Sequence, residues 1–156
     1  DVDFAGDMIQ PHAQALEMVD ATLGRDLDPE VAALTEEIRA AQAPEIETMA
    51  DWLEDWDQPV PETSRDHANA HGDGGDVDMD MPGMMSAEDM AELEQSRGAA
   101  FDQLFLELMV EHHEGALEMA QTQQAEGENP DALALAEKIE ADQQAEIAEM
   151  QRLLGV

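Results

Sequence analysis

The chain predicts an all-α four-helix bundle, made of two tandem helical hairpins joined by one long crossover loop. Three observations carry this. Apolar residues recur at helical spacing over four long stretches, those stretches are bounded by glycine or by an acid or amide followed by proline, and the second half repeats the first. Phe4, Met8, Ile9, His12, Ala15, Leu16, Glu17 and Met18 fall without a gap on Phe105, Met109, Val110, His113, Ala116, Leu117, Glu118 and Met119, at an offset of 101 residues. The register continues through Pro29 on Pro130, Ile38 on Ile139, Gln42 on Gln143, Glu45 on Glu146 and Met49 on Met150. Each copy is a unit that cannot bury its apolar face alone, so the two should share one core. The absence of tyrosine and of alternating β-branched runs argues against sheet.

In order, residues 3 to 23 place Phe4, Met8, Ile9, Ala15, Leu16, Val19 and Leu23 on one side, with Gly24 as the expected stop. Pro11 lies inside, so a helix either kinks there or begins near it. Asp28-Pro29-Glu30 opens the second helix with a capping acid, a first-turn proline and a charge that suits the helix dipole. Val31, Leu34, Ile38, Ile46, Met49, Trp52, Leu53 and Trp56 mark its buried side, and Pro44 is expected to bend it. Residues 57 to 86 lose the periodicity amid prolines, glycines and acids and read as a linker. Ser86 with Asp89 resembles a capping pair for a third helical segment, which Gly98 interrupts. The segment resumes through Phe101, Leu104, Phe105, Leu108, Met109, His112, Ala116 and Met119 to a stop at Gly127. Asn129-Pro130-Asp131 then starts the last helix as Asp28-Pro29-Glu30 started the second. The expected organisation is one bundle domain over 1–156, with hairpin repeats at 1–56 and 87–156 and a linker at 57–86.

Composition narrows the partners. Six basic residues against 39 acidic ones give a net charge of −33. Nucleic acid is excluded by that sign, and an anionic membrane surface repels the chain. The acidity suits a heavily solvated surface, as in high salt, and also a surface that gathers cations. There are no cysteines, hence no disulfide and no thiolate site. No apolar run approaches the roughly 18 residues that span a bilayer. Asp1 is not followed by a signal-peptide pattern, so an exported form would have lost its targeting segment.

The chemistry concentrates in residues 105 to 120. On a helix Met109, His112, His113 and Ala116 line one side, with Met119 a turn further on. Met8 and His12 repeat the spacing of Met109 and His113, and Glu45 with Met49 repeats as Glu146 with Met150. In antiparallel hairpins these turns face one another, giving two pseudo-equivalent clusters of Met, His and a candidate Glu. Thioether sulfur favours Cu(I), imidazole accepts either copper oxidation state, and carboxylate would help with Cu(II); zinc would leave the methionines without a reason. Binding needs neutral imidazole, so affinity should fall as pH drops through the histidine pKa, near 6.5 when unperturbed. Position 11 is proline where the second copy has His112, so the second copy is the richer site. The competing reading is that the methionines fill a core, that His12 is a hydrogen-bonded half-buried residue, and that one of His112 and His113 faces water or a neighbouring helix. The linker adds His67, His71, Met79, Met81, Met84 and Met85, either as further soft ligands or as tether and lid packing. A di-iron site would need Glu three residues before histidine, where this chain has Ile9, Met109 and Val110. A hydrolase triad has no support either.

These residues resemble a known family. Phe105, Met109, His112, His113, Ala116 and Met119, then Gln143, Glu146, Ile147 and Met150, preceded by Pro82-Gly83-Met84-Met85-Ser86, are similar to the pattern of the "domain of unknown function 305" proteins. The resemblance covers nearly the whole chain. It implies a ferritin-like bundle, exported to the periplasm or cell exterior, with some members binding copper or silver or serving copper resistance. The metal residues it implies are Met109, His112, His113 and Met119, with Met8, His12 and Met18 in the first copy and Met150 and Met49 from the facing helices. Pro11 departs from the double-histidine pattern.

The expectation is therefore a non-enzymatic, extracytoplasmic protein that sequesters or transfers copper, as Cu(I) foremost and as Cu(II) or Ag(I) besides, through these residues together with Met84 and Met85. Its partners would be metal ions, with another copper-handling protein and a second copy of the chain as further candidates, and no membrane insertion. A structural or interaction bundle without metal is the alternative, and a redox enzyme at the same site a third.

Overall fold

A computed structural model describes residues 1–63 and 81–156. Among them are five helices: α1 (Val2–Asp20), α2 (Pro29–Asp55), α3 (Ala87–Gln95), α4 (Ala99–Glu126) and α5 (Pro130–Leu154). The four long ones form the expected bundle, with α1 against α2 and α4 against α5. Contacts of α1 with α4 and of α2 with α5 join the two hairpins, and α3 leans on α4.

Local chemistry places most of the boundaries. Asp28 accepts from the Glu30 N–H at 2.8 Å with Pro29 following it, and Asn129 accepts from Asp131 and Ala132 with Pro130 following. Ser86 and Asp89 form a full capping box at the start of α3. Gly98, at φ +57°, separates α3 from α4 in a conformation that side chains with a Cβ rarely adopt. The structure decides between the two courses open at Pro11 and moves one boundary. Helix α1 starts at Val2 and runs through Pro11, since packing of Phe4, Ala5, Met8 and Ile9 outweighs the missing proline donor. It ends at Asp20, ahead of Gly24, and α2 likewise continues through Pro44.

Both hairpins are antiparallel in register. Asp20 pairs with Arg39 and His12 with Glu45, so numbers fall along α1 as they rise along α2. Gln121 with Glu140 and His113 with Glu146 repeat the pattern on α4 and α5. The hairpins also hold each other's turns. The Asp1 carboxylate accepts from the main-chain N–H groups of Glu128 and Asn129, at 3.2 and 3.1 Å. Asp102, its equivalent in the second copy, accepts from the N–H of Asp28 at 3.0 Å. A contact made twice with exchanged roles is what a two-fold relation between like units produces.

The core divides into two packed clusters. One gathers Val31, Leu34, Ile38, Phe101 and Phe105 around the turns nearest Leu27; the other gathers Phe4, Ile9, Leu53, Ala132 and Ile139 toward the opposite end. Trp52 and Trp56, stacked with ring centroids 5.9 Å apart, cover the second cluster from α2. No helix among the described residues is long and apolar enough to cross a membrane.

Candidate metal centre

The middle of the bundle carries two histidine–glutamate pairs that the repeat makes equivalent. His12 Nε2 donates to Glu45 Oε2 at 2.9 Å, and His113 Nε2 lies 2.6 Å from Glu146 Oε2. Both rings are buried. A carboxylate on one ring nitrogen fixes the ring and makes the other nitrogen a better donor, so both glutamates stand behind the histidines as orienting groups.

Electrostatics separates the twins. Lys138, the only lysine in the sequence, donates to Glu45 Oε1 at 2.7 Å and to Asp142 at 2.8 Å. Burial works to raise the Glu45 carboxyl, but His12 and Lys138 outweigh it and hold the group below its ordinary value. The repeat puts Glu37 at the position matching Lys138, so Glu146 has no such lysine. Burial, then the charges of Asp142 and Glu45, push Glu146 up to about 7. Near neutral pH the carboxyl is about half protonated, and in its protonated form it donates to His113 Nε2. When the carboxyl is ionised, His113 Nε2 donates to it and Nδ1 presents a lone pair.

His112 has no counterpart in the first copy and no hydrogen bond. It is 1% exposed, and neither ring nitrogen has a partner; the Pro11 carbonyl comes only close enough to favour a protonated ring weakly. The Nδ1 of His113 is likewise buried without a partner. The two rings are 6.2 Å apart at centroids and tilted by 60°, and neither faces water, which removes one of the two alternatives that their adjacency left open. Burial first, then neighbouring histidines, lower His112 to about 3, and burial with His12 does the same to His113. The rings therefore stay neutral far below the expected 6.5, and the group of this centre that titrates near neutrality is Glu146.

The methionines sort by the same symmetry. Met18, Met109 and Met150 share one packed cluster, and Met8, Met49 and Met119 the other. Each trio takes two members from one copy and one from the other. Met85 joins only the first trio, buried to 3% exposure. Met119, Met81 and Met84 are half-buried. His67, His71 and Met79 lie outside the described residues. Among the described residues no three histidines or acids converge in a ligating arrangement. Buried imidazole nitrogen and buried thioether sulfur are the donor types that the interior holds, a set suited to soft monovalent ions. Sequence reasoning treated the two glutamates as candidate ligands and missed Lys138 and Gln14; the mismatches of Lys138 with Glu37 and of Gln14 with Gly115 across the repeat were the available signals.

Fold and centre together define a class, that of duplicated helical hairpins closed around buried histidines and methionines. Within it the chain belongs to the family described as domain of unknown function, DUF305, whose pattern matches residues 1–154. A crystal structure of a DUF305 protein of Streptomyces coelicolor, described as secreted, is 30% identical, with a TM-score of 0.84 over 99% of this chain and 93% of that one. A DUF305 fragment from Deinococcus radiodurans gives 30% identity and 0.83, over 99% and 94%. CopM in its Cu(II)-bound form gives 28% and 0.77, over 99% and 95%, and it has also been crystallised with Cu(I) and with Ag. No protein with a curated description matches the chain.

Proposed function

We propose that this protein is a non-enzymatic, extracytoplasmic copper-binding protein that sequesters or hands on Cu(I), with Cu(II) and Ag(I) as further cargo. The observation that carries this reading is His112, a fully buried ring with both nitrogens unpartnered beside the equally bare Nδ1 of His113. Burying unsatisfied polar atoms costs roughly 1–3 kcal/mol each, so an otherwise well-packed core that keeps them has a use for them. A soft ion held by His112, His113 and the thioethers of Met109, Met150, Met18 and Met85 would satisfy those nitrogens. His12 with Met8, Met49 and Met119 forms the second, poorer centre, and Met84, next to Met85 in the chain, would add a further thioether. The relation to CopM supports copper as cargo, and the secreted relative supports an extracytoplasmic location. The acidic surface, at −33, would concentrate cations around the bundle.

Titration of the reduced protein with Cu(I) tests the reading. The wild type is expected to take up copper and the His112→Ala, His113→Ala variant to lose the tightest binding step. Equal uptake by both would leave these methionines as core packing and the protein as a bundle alone.

A further inference from the structure

Positions 14 and 115 are equivalent in the repeat, yet one is glutamine and the other glycine. Both serve the same segment, the end of the crossover between Met81 and Ser86. A Cβ at Gly115 would lie 2.3 Å from the carbonyl of Pro82, and one at Gly83 would lie 2.7 Å from the His112 carbonyl oxygen. The Pro82–Gly83 peptide therefore rests directly on the α4 backbone, at the turn that carries His112. Gly83 also has φ +78°, so glycine is required there twice over.

Two residues further on, Gln14 of α1 grips the main chain of Met85. The Met85 N–H donates to Gln14 Oε1 at 2.7 Å, and Gln14 Nε2 donates to the Met85 carbonyl at 2.9 Å. Gln14 is 4% exposed, so the loop satisfies both ends of a buried amide that a small apolar residue would have avoided burying. The fixed main chain sends the Met85 side chain into the cluster of Met18, Met109 and Met150. The matching cluster of Met8, Met49 and Met119 receives no methionine from the loop among the described residues.

We propose that Gln14 is a positioning residue for the copper centre: its two-point hold on Met85 keeps that thioether beside Met109 and Met150, giving the second-copy centre a fourth sulfur that its twin lacks. This rests on the copper-binding function proposed above. Groups that hold a ligand in place from behind are worth about 10- to 100-fold in metal affinity.

The test compares Gln14→Leu, Met85→Leu and the double variant in Cu(I) titrations against a competing chelator, with the Met85 ε-methyl resonance followed by NMR. Each single variant should weaken the tightest Cu(I) step about tenfold, and the double variant should be no weaker than Met85→Leu alone. The wild-type Met85 methyl signal should shift on adding Cu(I), and that shift should vanish in Gln14→Leu. Gly115→Ala, which lifts the loop from its other side and leaves Gln14 intact, should reproduce the loss if Gln14→Leu fails to fold. Gln14→Leu affinity within roughly twofold of wild type, additive losses in the double variant, or a wild-type Met85 methyl indifferent to Cu(I) would overturn the role of Gln14 alone. A wild type that takes up no Cu(I) at all would instead remove the proposed function, and this role with it.

Discussion

The two histidine–glutamate pairs have the same residues, the same spacing and nearly the same geometry, and they differ in charge. On the first, Lys138 completes Glu45 as a stable anion. On the second, a glutamate stands where the repeat would put that lysine, and Glu146, against His113, is raised to about 7. Duplication thus supplied two scaffolds, and charge differences at two helical positions, Lys138 against Glu37 and Asp142 against Ala41, made one a locked ion pair and the other a proton-labile site. The unpartnered His112 and the loop methionine Met85 lie on the labile side.

The largest effect expected from this inequality is on acid stability. An unfolded chain takes up protons on His112 and His113 near the ordinary 6.5, which the folded chain refuses until about 3, so this contribution is lost as pH falls across that window. Glu146 acts the other way: raised from 4.5 to about 7, it keeps a proton the unfolded chain releases, and its contribution is lost as pH rises through 7. Two protons against one leave a net loss of about 1.4 kcal/mol per pH unit as pH falls between 6.5 and 4.5, steepening below that as Glu45 is also protonated. Urea midpoints of the metal-free protein from pH 8 to 3 measure it, and a flat profile down to pH 4 would show that the second-copy rings are not held neutral.

A smaller and more pointed contrast comes from matching substitutions. Glu45→Gln removes a carboxylate from both His12 and Lys138 and should cost about 2–3 kcal/mol, the range for hydrogen bonds to charged groups. Glu146→Gln replaces a group that is half-protonated at neutral pH and should cost below about 1 kcal/mol. Equal losses in denaturant unfolding would erase the distinction between the twins.

The smallest effect should transfer the difference itself. Glu37→Lys puts a lysine at the position matching Lys138 and should draw the Glu146 carboxyl down from about 7, while Lys138→Glu lets Glu45 rise. Stability should change by no more than about 1 kcal/mol, since Lys138 is half exposed. Carboxyl carbon shifts followed through a pH titration read both movements, and a Glu146 value indifferent to Glu37→Lys would separate it from the charge at that position.

Much of the architecture was legible in the residues because it rests on local rules. Asp28-Pro29 and Asn129-Pro130 announce helix starts by chemistry that needs no distant partner, and Ser86 with Asp89 does the same for α3. At Pro11 the residues left two courses open, a helix that runs through or one that begins there, and the buried contacts of Phe4, Met8 and Ile9 decide for the first. In the centre, imidazole and thioether were legible from helical periodicity, whereas their partners were not. Which nitrogen of His12 meets Glu45, that Lys138 reaches across from α5, and that Gln14 holds Met85 are contacts between residues 33 to 93 positions apart, and spacing along one helix carries no information about them. The exchange of caps by Asp1 and Asp102 belongs with these, being visible only once the hairpins are docked.

The stacked indoles of Trp52 and Trp56 sit at the C-terminal end of α2 against the cluster of Met8 and Met49, and the sequence contains no others. Intrinsic emission is therefore a one-sided reporter of this nearly symmetric molecule. On the copper-binding function proposed above, quenching by an arriving ion would register the poorer centre, while filling of the centre around His112 would need a probe of its own.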